Sequence, residues 1–233
     1  AEAVDRFQRW GPSAPDKLGT VCRLATGAQE PSIQVFGQYL GPESALRPLV
    51  AALGAPKLTT ANASWLDLQL RWAGCLGNPL SECRAFEPTR FAASSDYVGK
   101  RLPPAGIAAM RSAIEARQGS SGAVLLDAYG GAVNRVPPAA TAFVHRRELF
   151  SCQYFSAWSS PAADASSRAW IQGLRTRMRP YASGAAYQNY IDPARSDWKR
   201  AYYGANLGRL VAVKRKYDPD NVLRFGQSVP TRL

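Results

Sequence analysis

Histidine is almost absent. The 233 residues hold one, His145, and four cysteines, Cys22, Cys75, Cys83 and Cys152. Zinc signatures need clusters of these two residue types, so no metal site is expected. A Ser-His-Asp hydrolase would have to use His145, and no G-x-S-x-G motif precedes it. Long apolar runs are missing too. None approaches the roughly 20 residues that cross a bilayer as a helix. Residues 1–12 are charged and amphipathic, unlike a signal peptide, and a leader removed earlier or lying upstream is left open. There is no repeat, linker or low-complexity segment.

Acidic residues are in deficit. Seventeen Asp and Glu stand against 29 Lys and Arg, a net charge of +12. Such an excess can attract nucleic acid or an anionic surface. Here the cations are scattered. The one dense patch, Lys214-Arg215-Lys216, ends a helical pattern, where positive charge suits the helix dipole. Neither nucleic acid nor a membrane is therefore an expected partner. A hydrophobic fraction of 46% and a charged fraction of 20% are ordinary globular values. The length allows a real core without staples.

Residues 18–25 and 32–40 read as strands. In the second, Ile33, Val35 and Tyr39 alternate with Gln34, Phe36 and Gln38. Leu46, Leu49, Val50 and Leu53 have helical spacing, although Pro48 interrupts them. Residues 61–70 suit a short helix. Pro103-Pro104 opens a helix with Ile107, Met110 and Ile114 on one face. Residues 123–128 form a buried strand ending at Tyr129-Gly130-Gly131. Strands follow at 141–145 and 150–158, the latter with Phe150, Cys152, Tyr154 and Trp158 on one side. Ser160-Pro161 starts a helix that Pro180 ends. A last helix begins near Leu207 and stops at Asp218-Pro219-Asp220-Asn221. This mixture predicts an α+β fold with a mainly antiparallel sheet covered by helices on one face. Cys75 and Cys83 bracket a turn-prone loop and read as a local disulfide. Cys22 and Cys152, both in strands, are either a bridge or two buried thiols. An even cysteine count favours a secreted or cell-envelope location, with the cytoplasm left open.

The C-terminal motifs are the most specific. They run Tyr187-Gln188-Asn189-Tyr190-Ile191-Asp192, Trp198, Tyr202-Tyr203-Gly204-Ala205-Asn206, Arg209-Leu210, Val213-Lys214, Tyr217 through Asn221, and Gln227-Ser228-Val229-Pro230. Upstream stand Ser95-Asp96-Tyr97-Val98, Asp127 through Asn134, Thr141 through Arg146, and Gln153-Tyr154. In order and spacing these resemble the berberine bridge enzyme-like FAD-linked oxidases of the vanillyl-alcohol-oxidase superfamily. The resemblance covers nearly the whole chain and is firmest from about residue 95. It implies a substrate-binding domain over 1–180 and a berberine-bridge-like segment over 181–233 that would return to the FAD domain. That N-terminal FAD-binding domain has no counterpart here, and no glycine-rich phosphate loop opens a helix. The chain thus resembles the C-terminal half of a bacterial enzyme, inactive by itself. The cofactor would be FAD, held mostly by the missing domain.

The resemblance also implies roles. Tyr190 first, and Tyr187 second, would take the proton of a substrate hydroxyl while hydride passes to the flavin. A phenol near pKa 10 needs an activating neighbour for this. Asn189 and Asn206 would hydrogen-bond near the flavin, and Asn206 could equally cap its helix. Gln153 would face the substrate. As an amide it orients without acting as a base, which favours oxidation of an alcohol or sugar hydroxyl over carbon–carbon bond formation. Asp127 and Tyr129 would line the same site, with Asp127 accepting a hydrogen bond from the tyrosine base. His145-Arg146 would tie strand ends together. Tyr39, Trp72, Phe155 and Trp158 are core residues or stacking surfaces for a sugar, core being the simpler assignment. The competing function is a non-catalytic carbohydrate- or metabolite-binding module of the same fold. Under the first reading, Gln153 and the Tyr187–Tyr190 segment should be partly uncovered.

Overall fold

The computed structural model describes residues 1–27, 30–55, 57–83, 89–117 and 120–233. Helix α1 (Glu2–Trp10) leads into strands β1 (Leu18–Thr26) and β2 (Ser32–Tyr39). Helices α2 (Glu43–Ala51) and α3 (Trp65–Trp72) follow, then β3 (Arg90–Val98), α4 (Pro104–Glu115), β4 (Gly122–Ala128) and the short α5 (Gly131–Arg135). Strand β5 (Phe150–Trp158), α6 (Asp164–Met178), α7 (Trp198–Tyr203) and α8 (Leu207–Tyr217) complete the order. The sheet runs β2-β1-β4-β5-β3, antiparallel at every pairing. This is the expected α+β architecture.

Strand alternation decides which face is covered. Cys22, Leu24, Val124, Leu126, Phe150, Cys152 and Tyr154 point one way. They meet Ile107, Met110 and Ile114 of α4, Ile171, Leu174 and Met178 of α6, and Val4 and Phe7 of α1. Pro104 takes the first turn of α4, where its missing N–H is no loss. Ser160 accepts from the Ala162 N–H at 3.3 Å and starts the turn leading into α6.

At four points the structure overturns, adds to or decides between expectations. Residues 141–145 are not a strand. Side chains replace the ladder there: Arg146 donates to the carbonyls of Phe143 and Val133, and Asn206 to those of Pro138 and Thr141. Asn206 occupies the N-cap position of α8 but makes no capping bond, because its amide is committed to that loop. Strand β3 and helices α1, α5 and α7 have no counterpart in the sequence reading. Cys75 and Cys83 are bonded, whereas Cys22 and Cys152 are free and buried. Both flank Leu126 in the sheet register, so β4 lies between them. Two strand spacings are about 9.6 Å, too far for a disulfide. Burial pushes the Cys22 thiol up to about 12. Two thiols should therefore react with a disulfide reagent in denaturant and none in the folded protein. Rapid native labelling would contradict this.

The tail is bound to β3. Ser183 N–H donates to Tyr97 O at 2.8 Å and Tyr97 N–H to Ala185 O at 2.9 Å. Behind these, Arg195 donates to Asp96 at 2.9 Å, and Arg175 and Ser94 donate to Asp192 at 3.0 and 2.7 Å. Tyr154 adds its hydroxyl to Asp96 at 3.0 Å. Gln227 donates to the Asp192 carbonyl at 2.8 Å and accepts from Tyr202 at 3.2 Å. Asp96 is pushed up to about 6 because burial outweighs the pull of Arg195. At neutral pH it remains ionised. The residues beyond 180 are thus held by paired buried charges, whose loss is costly.

Candidate active site

Among the described residues, the other sheet face carries no core helix. Because side chains alternate, two rows cross it. One holds Phe36, Val21, Asp127, Ser151 and Tyr97, and the next holds Gln34, Arg23, Leu125, Gln153 and Ser95. The tail reaches this face at Ser95, whose Oγ accepts the Tyr187 N–H at 2.9 Å.

Around that bond an aromatic cluster assembles. Tyr187 and Tyr190 meet edge to face at 5.0 Å, and Phe143 and Tyr97 lie 6.2 and 6.5 Å from Tyr187. The Tyr97 ring is 5.4 Å from Tyr129, with the two hydroxyls 2.9 Å apart. Burial pushes Tyr129 up to about 12. Tyr190 also rises to about 12, first through burial and then through the negative charge of Asp127. Asp127 itself is pushed up to about 6 by burial and has no hydrogen-bond partner among the described residues. Its expected bond with the tyrosine base is not formed: among the described residues neither Tyr190 nor Tyr187 donates to it, and only its charge acts on Tyr190. Asn189, exposed, donates to the Tyr187 hydroxyl at 2.8 Å.

Gln153, Asp127, Tyr129, Tyr187 and Tyr190 therefore surround one half-buried patch, and Asn189 stands at its rim. Asn206 does not join them, since its amide holds the 138–141 loop. Tyr97 and Phe143 do join. The sequence offered them only as members of motifs, because their importance lies in ring contacts between distant segments. His145 is structural. Its ring stacks on Tyr97 at 4.4 Å and its Nε2 donates to the Tyr202 carbonyl at 3.0 Å, tying α7 to the sheet. Burial lowers its pKa to about 4. Between pH 6.5 and 4 the unfolded chain takes a proton here that the folded chain refuses, so this group weakens folding as pH falls. The sole imidazole should stay neutral in an NMR titration until about pH 4. A midpoint near 6.5 would place it in solvent.

Gly130 is the N-cap of α5 and Gly131 its first residue, but they do not form a phosphate cradle. A Cβ on Gly130 would lie 2.2 Å from the Pro12 carbonyl oxygen, and one on Gly131 2.3 Å from Asp16 Oδ1. Their positive φ angles of 134° and 47° suit glycine. The pair is needed for packing against residues 12–16.

The family described as "Berberine and berberine like" matches residues 186–230. The FAD-linked oxidoreductase YgaK of Bacillus subtilis, itself uncharacterised, is 30% identical over 98% of this chain and 49% of its own length. Berberine bridge enzyme-like 1 of Physcomitrella patens is 34% identical, with a TM-score of 0.83 over the whole chain and 51% of that protein. This chain belongs to the berberine bridge enzyme-like family of FAD-linked oxidoreductases. It spans about half the length of the relatives it matches. The grass pollen allergen Phl p 4, described as having glucose dehydrogenase activity, shares the fold at a TM-score of 0.82 and 26% identity, over 99% of this chain and 52% of its own. The matched family segment is the tail that delivers Tyr187 and Tyr190 to the open face. In this berberine bridge enzyme-like chain no helix is long and apolar enough to cross a membrane, among the described residues.

Proposed function

We propose that this chain is the substrate-binding and C-terminal half of an FAD-dependent oxidoreductase that oxidises an alcohol or sugar hydroxyl. The observation that carries the reading is the Tyr187–Ser95 bond, which brings the tail tyrosines onto the face of Asp127 and Gln153. The open face suits the ring edge of a flavin. It offers Gln153, and the Gln188 Oε1 and Ser151 Oγ atoms are buried without partners. Asn189 lies close by. Nothing on Gly130-Gly131 suits the pyrophosphate, so the dinucleotide would be held mainly outside this chain.

When bound, the flavin supplies a hydride acceptor. Gln153 orients the substrate hydroxyl through its amide. Tyr190 takes the hydroxyl proton, with Tyr187 packed against it and fixed by Asn189. The raised phenol makes proton removal slow at neutral pH and faster as pH rises. We assign a location outside the cytoplasm, which the Cys75–Cys83 bond supports.

This half alone is expected to be colourless and inactive, so the test begins with a visible absorbance spectrum of the protein carrying its FAD-binding half. Flavin bands, followed by oxygen or dye reduction with a panel of sugars and alcohols, are expected. A flavin-loaded protein that oxidises none of them would overturn the reading.

A further inference from the structure

Tyr97 and Tyr129 share one hydrogen bond between two hydroxyls. Geometry allows either oxygen to donate, and burial decides between them. Tyr97 is 0% exposed, and among the described residues its hydroxyl meets no polar group but Tyr129. A phenol carries one proton and needs an acceptor for it. If Tyr129 donated, the Tyr97 proton would be shut in without one, which is costly. Tyr97 therefore donates. Tyr129 accepts and is left with a proton of its own. It is only half-buried, so that proton has somewhere to go. Among the described residues none accepts it, and nearby Asp127 is without a hydrogen-bond partner. Burial pushes Tyr129 up to about 12, so the proton is still there at neutral pH.

Neither ring is free to turn. The Tyr97 backbone is bonded to Ser183 and Ala185, and its ring is stacked on His145 at 4.4 Å. Tyr129 N–H donates to Leu149 O at 2.8 Å, and its ring lies 5.4 Å from Tyr97 and 6.2 Å from Phe143. A spare donor is thus held at the patch that Gln153 and Tyr190 share.

We propose that Tyr129 donates a hydrogen bond to the oxygen of the reacting hydroxyl, and that Tyr97 is the positioning residue that fixes this sense. A hydroxyl oxygen has two lone pairs. The Gln153 amide and Tyr129 fill both, and the one proton of the hydroxyl is turned to Tyr190. Tyr129 keeps its own proton throughout. The identity of the acceptor rests on the oxidation reading above, and the donor sense does not.

In the protein carrying its FAD-binding half, Tyr129→Phe should lower kcat about tenfold, the scale of one hydrogen bond. The loss falls on kcat because the hydroxyl still binds but its proton is no longer turned to the base. Tyr97→Phe removes only the fixing donor and should lower kcat about threefold. Added to Tyr129→Phe it should cost nothing further, since no hydroxyl is left to fix. A Tyr97→Phe loss of equal size in both backgrounds would make Tyr97 merely structural and overturns the proposal. A Tyr129→Phe enzyme with full kcat overturns it too. Neutron diffraction after exchange into heavy water reads the sense without turnover. Deuterium on the Tyr97 oxygen along the line to Tyr129, with the Tyr129 deuteron turned into the patch, is expected. Deuterium on Tyr129 pointing at Tyr97 overturns the proposal whatever the protein oxidises. The expected positions in a protein that oxidises no alcohol support the donor sense and defeat only the oxidation reading.

Discussion

Replacing Tyr190 by phenylalanine in the FAD-loaded protein is expected to lower kcat by about 10²- to 10⁴-fold, the range for losing a positioned general base. Flavin binding should be little changed, because the ring and its 5.0 Å contact with Tyr187 remain. The pH profile distinguishes two sources of the loss. Tyr190 is pushed up to about 12, and the Asp127 charge contributes in that direction. Asp127→Asn removes an anion that opposes the phenolate, so the rising limb of the profile should move to lower pH. Had Asp127 been the group that takes the proton, the same substitution would abolish activity. A Tyr190→Phe enzyme with full kcat would remove tyrosine from the mechanism.

Arg195→Met should cost about 3–5 kcal/mol of stability, since it leaves Asp96 buried without its cation. For a chain of this size that is a fall in melting temperature on the order of 10 °C. The effect is larger than a surface ion pair gives, because both partners of the Arg195–Asp96 bridge are 5% exposed. Asp96→Leu combined with Arg195→Met should recover part of the loss, because no unpaired charge is then left inside. Thermal unfolding of the single and double variants measures both. An unchanged transition in the single variant would mean that water already reaches Asp96.

The parts of the fold legible in the sequence are those stabilised locally. Strands β2 and β5 alternate, β4 is a short apolar run closed by a glycine pair, α4 has its proline start, and Cys75 and Cys83 lie eight residues apart across a turn. Strand β3 was not legible because three of its five buried residues are polar. Ser94, Ser95 and Asp96 find their partners, Asp192, Tyr187 and Arg195, more than 90 residues away. A local pattern cannot register a hydrogen bond of that span. The apparent strand at 141–145 has the opposite cause. Its short apolar run is real, but Phe143 and His145 face aromatic neighbours rather than a ladder. In the candidate site, resemblance pointed to Tyr187, Tyr190, Gln153 and Asp127. What it did not contain was the distance of Asn206 from them, which follows from three carbonyls competing for one amide.

Strand order gives this chain a timetable. β3 is the edge of the sheet, and its free side is covered by residues 183–187. During synthesis about 90 residues separate Tyr97 from that cover, roughly 5–20 s at ordinary elongation rates. Over that interval the nascent edge has open backbone donors and acceptors, and Asp96 has no cation beside it. An uncovered edge is a template for pairing with another chain. A nonsense codon or a proteolytic cut in the 180s would therefore do more than remove two tyrosines. It would yield molecules prone to join edge to edge, and the insoluble fraction would record the damage before any assay of turnover.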